Sequence, residues 1–223
     1  VGVRIVGVNS VNLRHKSIWV NKIIIINFLL GHPVNVLWAC SVDYKKIGLE
    51  DYGKPGNYVS RQVSRWSKQY LASETENIPA MNNLIDWLPP NIPDEDETSI
   101  VHGDYRLDNM VCHPTEPKVI AVLDWELSTL GHPLGDFVYH LAPWMLPNMD
   151  GISSLSGLNL PDMGIPTEEE YISMYCELTH RNEIENLEFY KAYTMWRLAA
   201  IYQGIVKRVE DGTAASADAY RST

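Results

Sequence analysis

Val-His-Gly-Asp-Tyr-Arg-Leu-Asp-Asn over residues 101–109, followed by Leu-Asp-Trp-Glu over 123–126, is the stretch from which the rest of the chain is read. An apolar run, Ser99–Val101, leads into the first polar segment. A second, Val119–Leu123, leads into Asp124, so the spacing predicts two strand ends with polar loops beyond them. Strand ends face ligands. A carboxylate at Asp104, an amide at Asn109 and a carboxylate at Asp124 are the oxygen donors that Mg²⁺ accepts, together with waters and nucleotide phosphates. That donor set at that spacing points to phosphoryl transfer.

The pattern His-x-Asp-x-x-x-x-Asn followed by an Asp-aromatic pair resembles the catalytic and metal loops of protein kinases and of the aminoglycoside-phosphotransferase/choline-kinase group, which uses His-Gly-Asp as here. Further segments narrow the likeness. D-Y-G-K-P-G-N-Y (51–58), R-W-S-K-Q-Y-L-A-S-E-T (65–75), V-L-D-W-E-L-S-T-L-G-H-P-L-G-D (122–136) and D-G-T-A-A-S-A (211–217) are similar to the phosphotransferase-type domain found alone in bacteria and fused to acyl-CoA dehydrogenases in animals. The resemblance runs from Leu37 to Ala219. It implies an α+β fold, the C-terminal lobe of a kinase-like protein, mainly helical with short β hairpins carrying the two loops. Residues 1–36 are then an atypical or remnant segment standing where an N-lobe is truncated or replaced, 37–219 the phosphotransferase lobe and 220–223 a tail.

By the same resemblance, Asp104 is the catalytic base or positioner, and Asn109 and Asp124 hold Mg²⁺ and, through it, ATP. His102 and Asp136 brace the loop. Asp108 shapes the loop or faces substrate, Arg106 pairs with Asp108 or with an anionic substrate group, and the role of Glu126 stays open. The implied acceptor is a small-molecule hydroxyl, such as a hydroxyacyl-CoA or hydroxy acid, with a fused or associated acyl-CoA dehydrogenase as partner.

Two rival readings stand beside this one. A lobe without its nucleotide lid would be an inactive binding module, and the fragment as given is expected to hold ATP weakly. Alternatively, His132, Asp136 and His140 at i, i+4, i+8 could share a helical face and bind a transition metal for hydrolysis.

Composition bounds the choice. Of 223 residues 45% are apolar, including seven Trp, enough for a sizeable core, and the net charge of −10 argues against nucleic-acid or anionic-membrane binding as the main task. Charge is uneven: residues 1–36 carry Arg4, Arg14, Lys16 and Lys22 and no acid, so +4 against a total of −10 leaves −14 on the rest. Lys22 precedes the apolar run Ile23–Leu30 instead of sitting inside an alternating strand, so it is a poor match for a phosphate-gripping lysine. That run is too short to cross a bilayer. Cys40, Cys112 and Cys176 are far apart and odd in number, which fits a reduced, intracellular protein, cytoplasmic by default and mitochondrial or peroxisomal if it derives from a fused animal protein.

Helical periodicity is expected over 57–73 and 80–88, the latter stopped by Pro89-Pro90, and over 135–144. A capping box at Thr167–Glu170 opens a helix to Thr179, and a last helix, 187–210, stops at Gly212. Residues 94–97 read as an exposed acidic loop and 148–164 as a long surface loop able to close over substrate. Trp66, Trp87, Trp125, Trp144 and Trp196 read as core.

Overall fold

A computed structural model describes residues 43–94, 97–115, 119–148 and 154–214. The expectations for residues 1–36, including Lys22 and the strand-like runs, lie outside them.

Helix α1 (Tyr58–Ala72) turns Tyr58, Val59, Val63 and Tyr70 inward at helical spacing. It ends where the Ser73 hydroxyl and amide both return to the Gln69 carbonyl. Helix α2 (Pro79–Trp87) starts on a proline, whose missing N–H costs nothing at a first turn, and ends ahead of the Pro89–Asn91 3₁₀ turn. Four strands of three or four residues follow: β1 (Ser99–Val101), β2 (Met110–Cys112), β3 (Val119–Val122) and β4 (Thr129–Gly131). Next come α3 (Leu134–His140), α4 (Ala142–Met145), α5 (Glu168–Thr179) and α6 (Leu187–Glu210). The expected 135–144 helix is broken in two at Leu141, with Pro143 in the first turn of α4.

The strand topology creates the site. β1 pairs antiparallel with β4 (Ile100 opposite Leu130), and β2 with β3 (Met110 opposite Val122). Because the two outer strands pair with each other and the two inner strands do likewise, the connections 102–109 and 123–128 must run side by side. The β1–β4 pair is sealed onto α1 through Gly131, where a Cβ would fall 2.7 Å from Val101 Cγ2 and 2.8 Å from the Tyr58 ring.

α6 is the spine, packed against α1 and α3 with Tyr190, Tyr193 and Trp196 fully buried. α3 is buried along its whole length. α5 opens with both bonds of the capping box, Glu170 N–H to Thr167 Oγ1 at 3.2 Å and Thr167 N–H to Glu170 Oε2 at 2.8 Å. A cap of this kind contributes about 1 kcal/mol.

Several expectations need correction. Trp87 and Trp125 are 43% and 40% exposed instead of core, while Trp196 is buried and Trp66 and Trp144 are partly so. The described part of the 148–164 segment is not a free lid. Leu155 and Ile165 make a small core with Trp144, Leu160 and Met163, and the Trp144 indole donates to the Pro166 carbonyl at 3.0 Å. Glu97 stays partly exposed, as expected of this loop, and pairs with Arg181, two residues past the end of α5. Cys112 and Cys176 are both free. No helix among the described residues is long and apolar enough to cross a membrane.

Candidate active site

The loop after β1 is held from below by a buried carboxylate. Asp136, on the first turn of α3, accepts the amide of His102 and, at 2.9 Å, that of Gly103. Burial pushes the Asp136 carboxyl up from the usual range, while the two amides and the nearby Arg197 charge pull it back. Gly103 has φ +88° and lies against the 123–128 loop, where a Cβ would meet the Leu127 carbonyl oxygen at 2.7 Å. Only glycine takes that conformation without strain.

His102 then joins the two loops. Its Nδ1 accepts the Asp104 amide at 3.2 Å, and its Nε2 lies 2.8 Å from the Leu123 carbonyl. One nitrogen accepts, so the other carries the proton, and the pair of bonds assigns the Nε2–H tautomer. The Trp125 ring covers this imidazole, centroids 4.7 Å apart, with its indole N–H on the Val122 carbonyl at 2.9 Å.

Asn109 gathers the rest. Its side-chain nitrogen donates to the Asp104 carbonyl at 2.8 Å and to the Asp104 carboxylate at 3.0 Å, and its own carbonyl accepts the Leu123 amide at 2.7 Å. With both amide protons spent on Asp104, Asn109 Oδ1 is left as an oxygen donor. Asp124 follows Leu123 in the left-handed region, φ 64°, and its exposed carboxylate has no hydrogen bond or ion pair among the described residues. Asp tolerates this region better than most residues, and such outliers cluster at functional sites. Sequence-adjacent Leu123, Trp125 and Leu127, with Ile120, leave exposed apolar surface around Asp124.

Arg106 is spent on Asp108, its Nε donating to Oδ2 at 2.9 Å. Both side chains are exposed, so the pair contributes at most about 1 kcal/mol.

The three-residue metal set is not formed. α3 starts at Leu134, which leaves His132 outside the helical register, hydrogen-bonded to Tyr190 and to the Leu134 amide. Asp136 is used by the loop, and the His140 ring packs against Tyr105 and Tyr171. Among the described residues no group of three or more His, Cys, Asp or Glu side chains is placed to hold a metal ion. The remaining donor set is one carboxylate and one amide oxygen. Hard donors in that number suit an ion that keeps several waters and binds phosphate oxygens, and Mg²⁺ is such an ion.

Two residues at the site had not been singled out from sequence. Tyr139, on α3, is buried, and its phenol is pushed up first by burial and then by the charge of the nearby Asp104 carboxylate. Arg197, from the middle of α6, donates from Nη2 to the Gly103 carbonyl at 2.7 Å. The signal was present in Met-Trp-Arg-Leu-Ala-Ala (195–200), a lone cation in an apolar run of the helix, which needs a buried partner.

The family model described as phosphotransferase enzyme family matches residues 40–153. Acyl-CoA dehydrogenase family member 10 of Mus musculus is 48% identical over 185 residues, covering 82% of this chain and 17% of that protein. Family member 11 of the same organism is 44% identical over 193 residues, covering 82% and 24%. A crystal structure from Ralstonia eutropha, of a protein assigned as an aminoglycoside phosphotransferase, aligns with a TM-score of 0.81 at 48% identity, covering all of this chain and 66% of that one. The chain therefore spans under a quarter of those dehydrogenase relatives and just under two thirds of the solved one, and its kinase-like fold is shared with the latter.

Proposed function

As a member of the phosphotransferase enzyme family, this chain, we propose, transfers the γ-phosphoryl group of ATP to the hydroxyl of a small molecule. The observation that carries the reading is Asn109, whose side-chain nitrogen holds Asp104 at both its carbonyl and its carboxylate while its backbone carbonyl accepts the amide of Leu123, the residue before Asp124. Asp104 would receive the acceptor's hydroxyl proton while that oxygen bonds to the γ phosphorus and ADP leaves with the electrons of the broken P–O bond. A base held by three hydrogen bonds needs little reorganisation as the reaction begins. Asn109 Oδ1 and the Asp124 carboxylate would hold Mg²⁺. When bound, that ion supplies charge neutralisation on the β and γ oxygens.

The names of the dehydrogenase relatives favour a hydroxylated acyl acceptor, a hydroxyacyl-CoA or hydroxy acid, and an acyl-CoA dehydrogenase in the same chain or as a partner. Asp104→Asn tests the assignment. Transfer is expected to fall by about 10²–10⁴ with MgATP binding unchanged, as positioned acid/base groups contribute that much. A loss below about tenfold would remove Asp104 from the reaction.

A further inference from the structure

Asp104 is preceded by a peptide bond that two side chains fix from opposite ends. The Asp104 amide is held by His102 Nδ1, and the carbonyl of the same peptide, that of Gly103, accepts the Arg197 guanidinium. The direction in which the Asp104 side chain leaves the backbone is set by that plane.

Arg197 is packed as well as bonded. Its guanidinium carbon lies 4.7 Å from the centroid of the Tyr139 ring. Trp66 of α1 covers the guanidinium as well, 5.6 Å from its ring centroid. The residue is 5% exposed, and its Nε has no partner among the described residues. A buried guanidinium with one donor unused is costly, and an apolar side chain of similar length would fill the same space at lower cost. Stability alone does not account for an arginine here; the loop it grips does. Asp136 holds the Gly103 amide and Arg197 the Gly103 carbonyl, so opposite charges from α3 and α6 clamp the one residue in front of Asp104.

We propose that Arg197 is a positioning residue, which fixes the direction of the Asp104 side chain through the Gly103 carbonyl. The inference rests on Asp104 being the group that receives the acceptor proton. Lysine would keep the charge and reach the carbonyl, but it lacks the flat guanidinium that lies over two rings.

Arg197→Met, Arg197→Lys and Arg197→Ala are compared with the unchanged chain in two measurements. Amide hydrogen exchange of the 102–109 peptides, with α1 as internal reference, reads the loop without any activity. About tenfold faster exchange in 102–109 with α1 unchanged is expected for Arg197→Met, and a smaller rise for Arg197→Lys. In transfer assays kcat should fall about tenfold or more in Arg197→Met while KM for MgATP stays within about twofold, since sub-ångström misplacement of a reacting group is enough for such a loss. Methylguanidinium should restore part of kcat to Arg197→Ala and none to Asp104→Asn. Unchanged exchange over 102–109, or a kcat loss that only follows the folded fraction with no rescue, would overturn the proposal. If the unchanged chain transfers phosphate to no hydroxyl acceptor, the proposed function falls, and the exchange measurement alone decides for or against the clamp.

Discussion

Acidification should destabilise this protein through one imidazole. His140 sits at the end of α3 with its ring against Tyr105 and Tyr171, centroids 5.1 and 5.8 Å away, and its Nδ1 has no partner among the described residues. Burial is the main cause that lowers its pKa from 6.5 to about 4. Between those values the unfolded chain takes up a proton that the folded chain refuses. Stability from this group is therefore complete above about pH 6.5 and is lost as the pH falls toward 4. Two and a half units at 1.36 kcal/mol each amount to roughly 3 kcal/mol, a large share of the 5–15 kcal/mol typical of a domain. The raised carboxyl of Asp136 acts in the opposite sense over acid pH, so the test must be a difference. Urea unfolding at a series of pH values would compare the unchanged chain with His140→Phe, which keeps the ring contacts and cannot titrate. The difference in unfolding free energy should change by about 3 kcal/mol between pH 7 and 4. Parallel curves for the two proteins would refute the reasoning.

Two further substitutions probe how the 102–109 loop is held. Gly103→Ala forces a Cβ into a left-handed residue 2.7 Å from the Leu127 carbonyl, and urea unfolding should show a loss of about 1–3 kcal/mol; a loss below about 0.5 kcal/mol would mean the loop yields freely. Asp136→Ala strands two buried amides and the Arg197 charge, and should cost about 3–5 kcal/mol in the same assay, with a change under about 1 kcal/mol showing that Asp136 does not hold the loop.

Helix limits were legible to within a residue or two wherever punctuation is local: the prolines after Trp87, the capping box at Thr167 and Gly212 after Glu210. The folding of the loop after β1 is local for a similar reason, because Asp104 and Asn109 satisfy each other five residues apart. What escaped depends on distance along the chain or on which face finds a cover. The Arg197 bond to Gly103 spans 94 residues, and no periodicity records it. Trp87 and Trp125 fit an apolar pattern yet stay half exposed, because a pattern names a face without naming what packs on it. The 148–164 segment looked like a lid from its Gly, Ser and Pro content, whereas Leu155 and Ile165 anchor its described part to Trp144. His132 missed the expected helical register because α3 begins two residues later.

The most direct test of phosphoryl-transfer chemistry at this site is the Mg²⁺ dependence of ATP binding. Calorimetric titration of ATP with and without Mg²⁺ would be run on the unchanged chain and on Asp124→Ala. The account predicts tighter binding when Mg²⁺ is present, and loss of that Mg²⁺-dependent gain, about tenfold or more, on removal of the Asp124 carboxylate. Equal ATP affinity in the two proteins at saturating Mg²⁺ would contradict it.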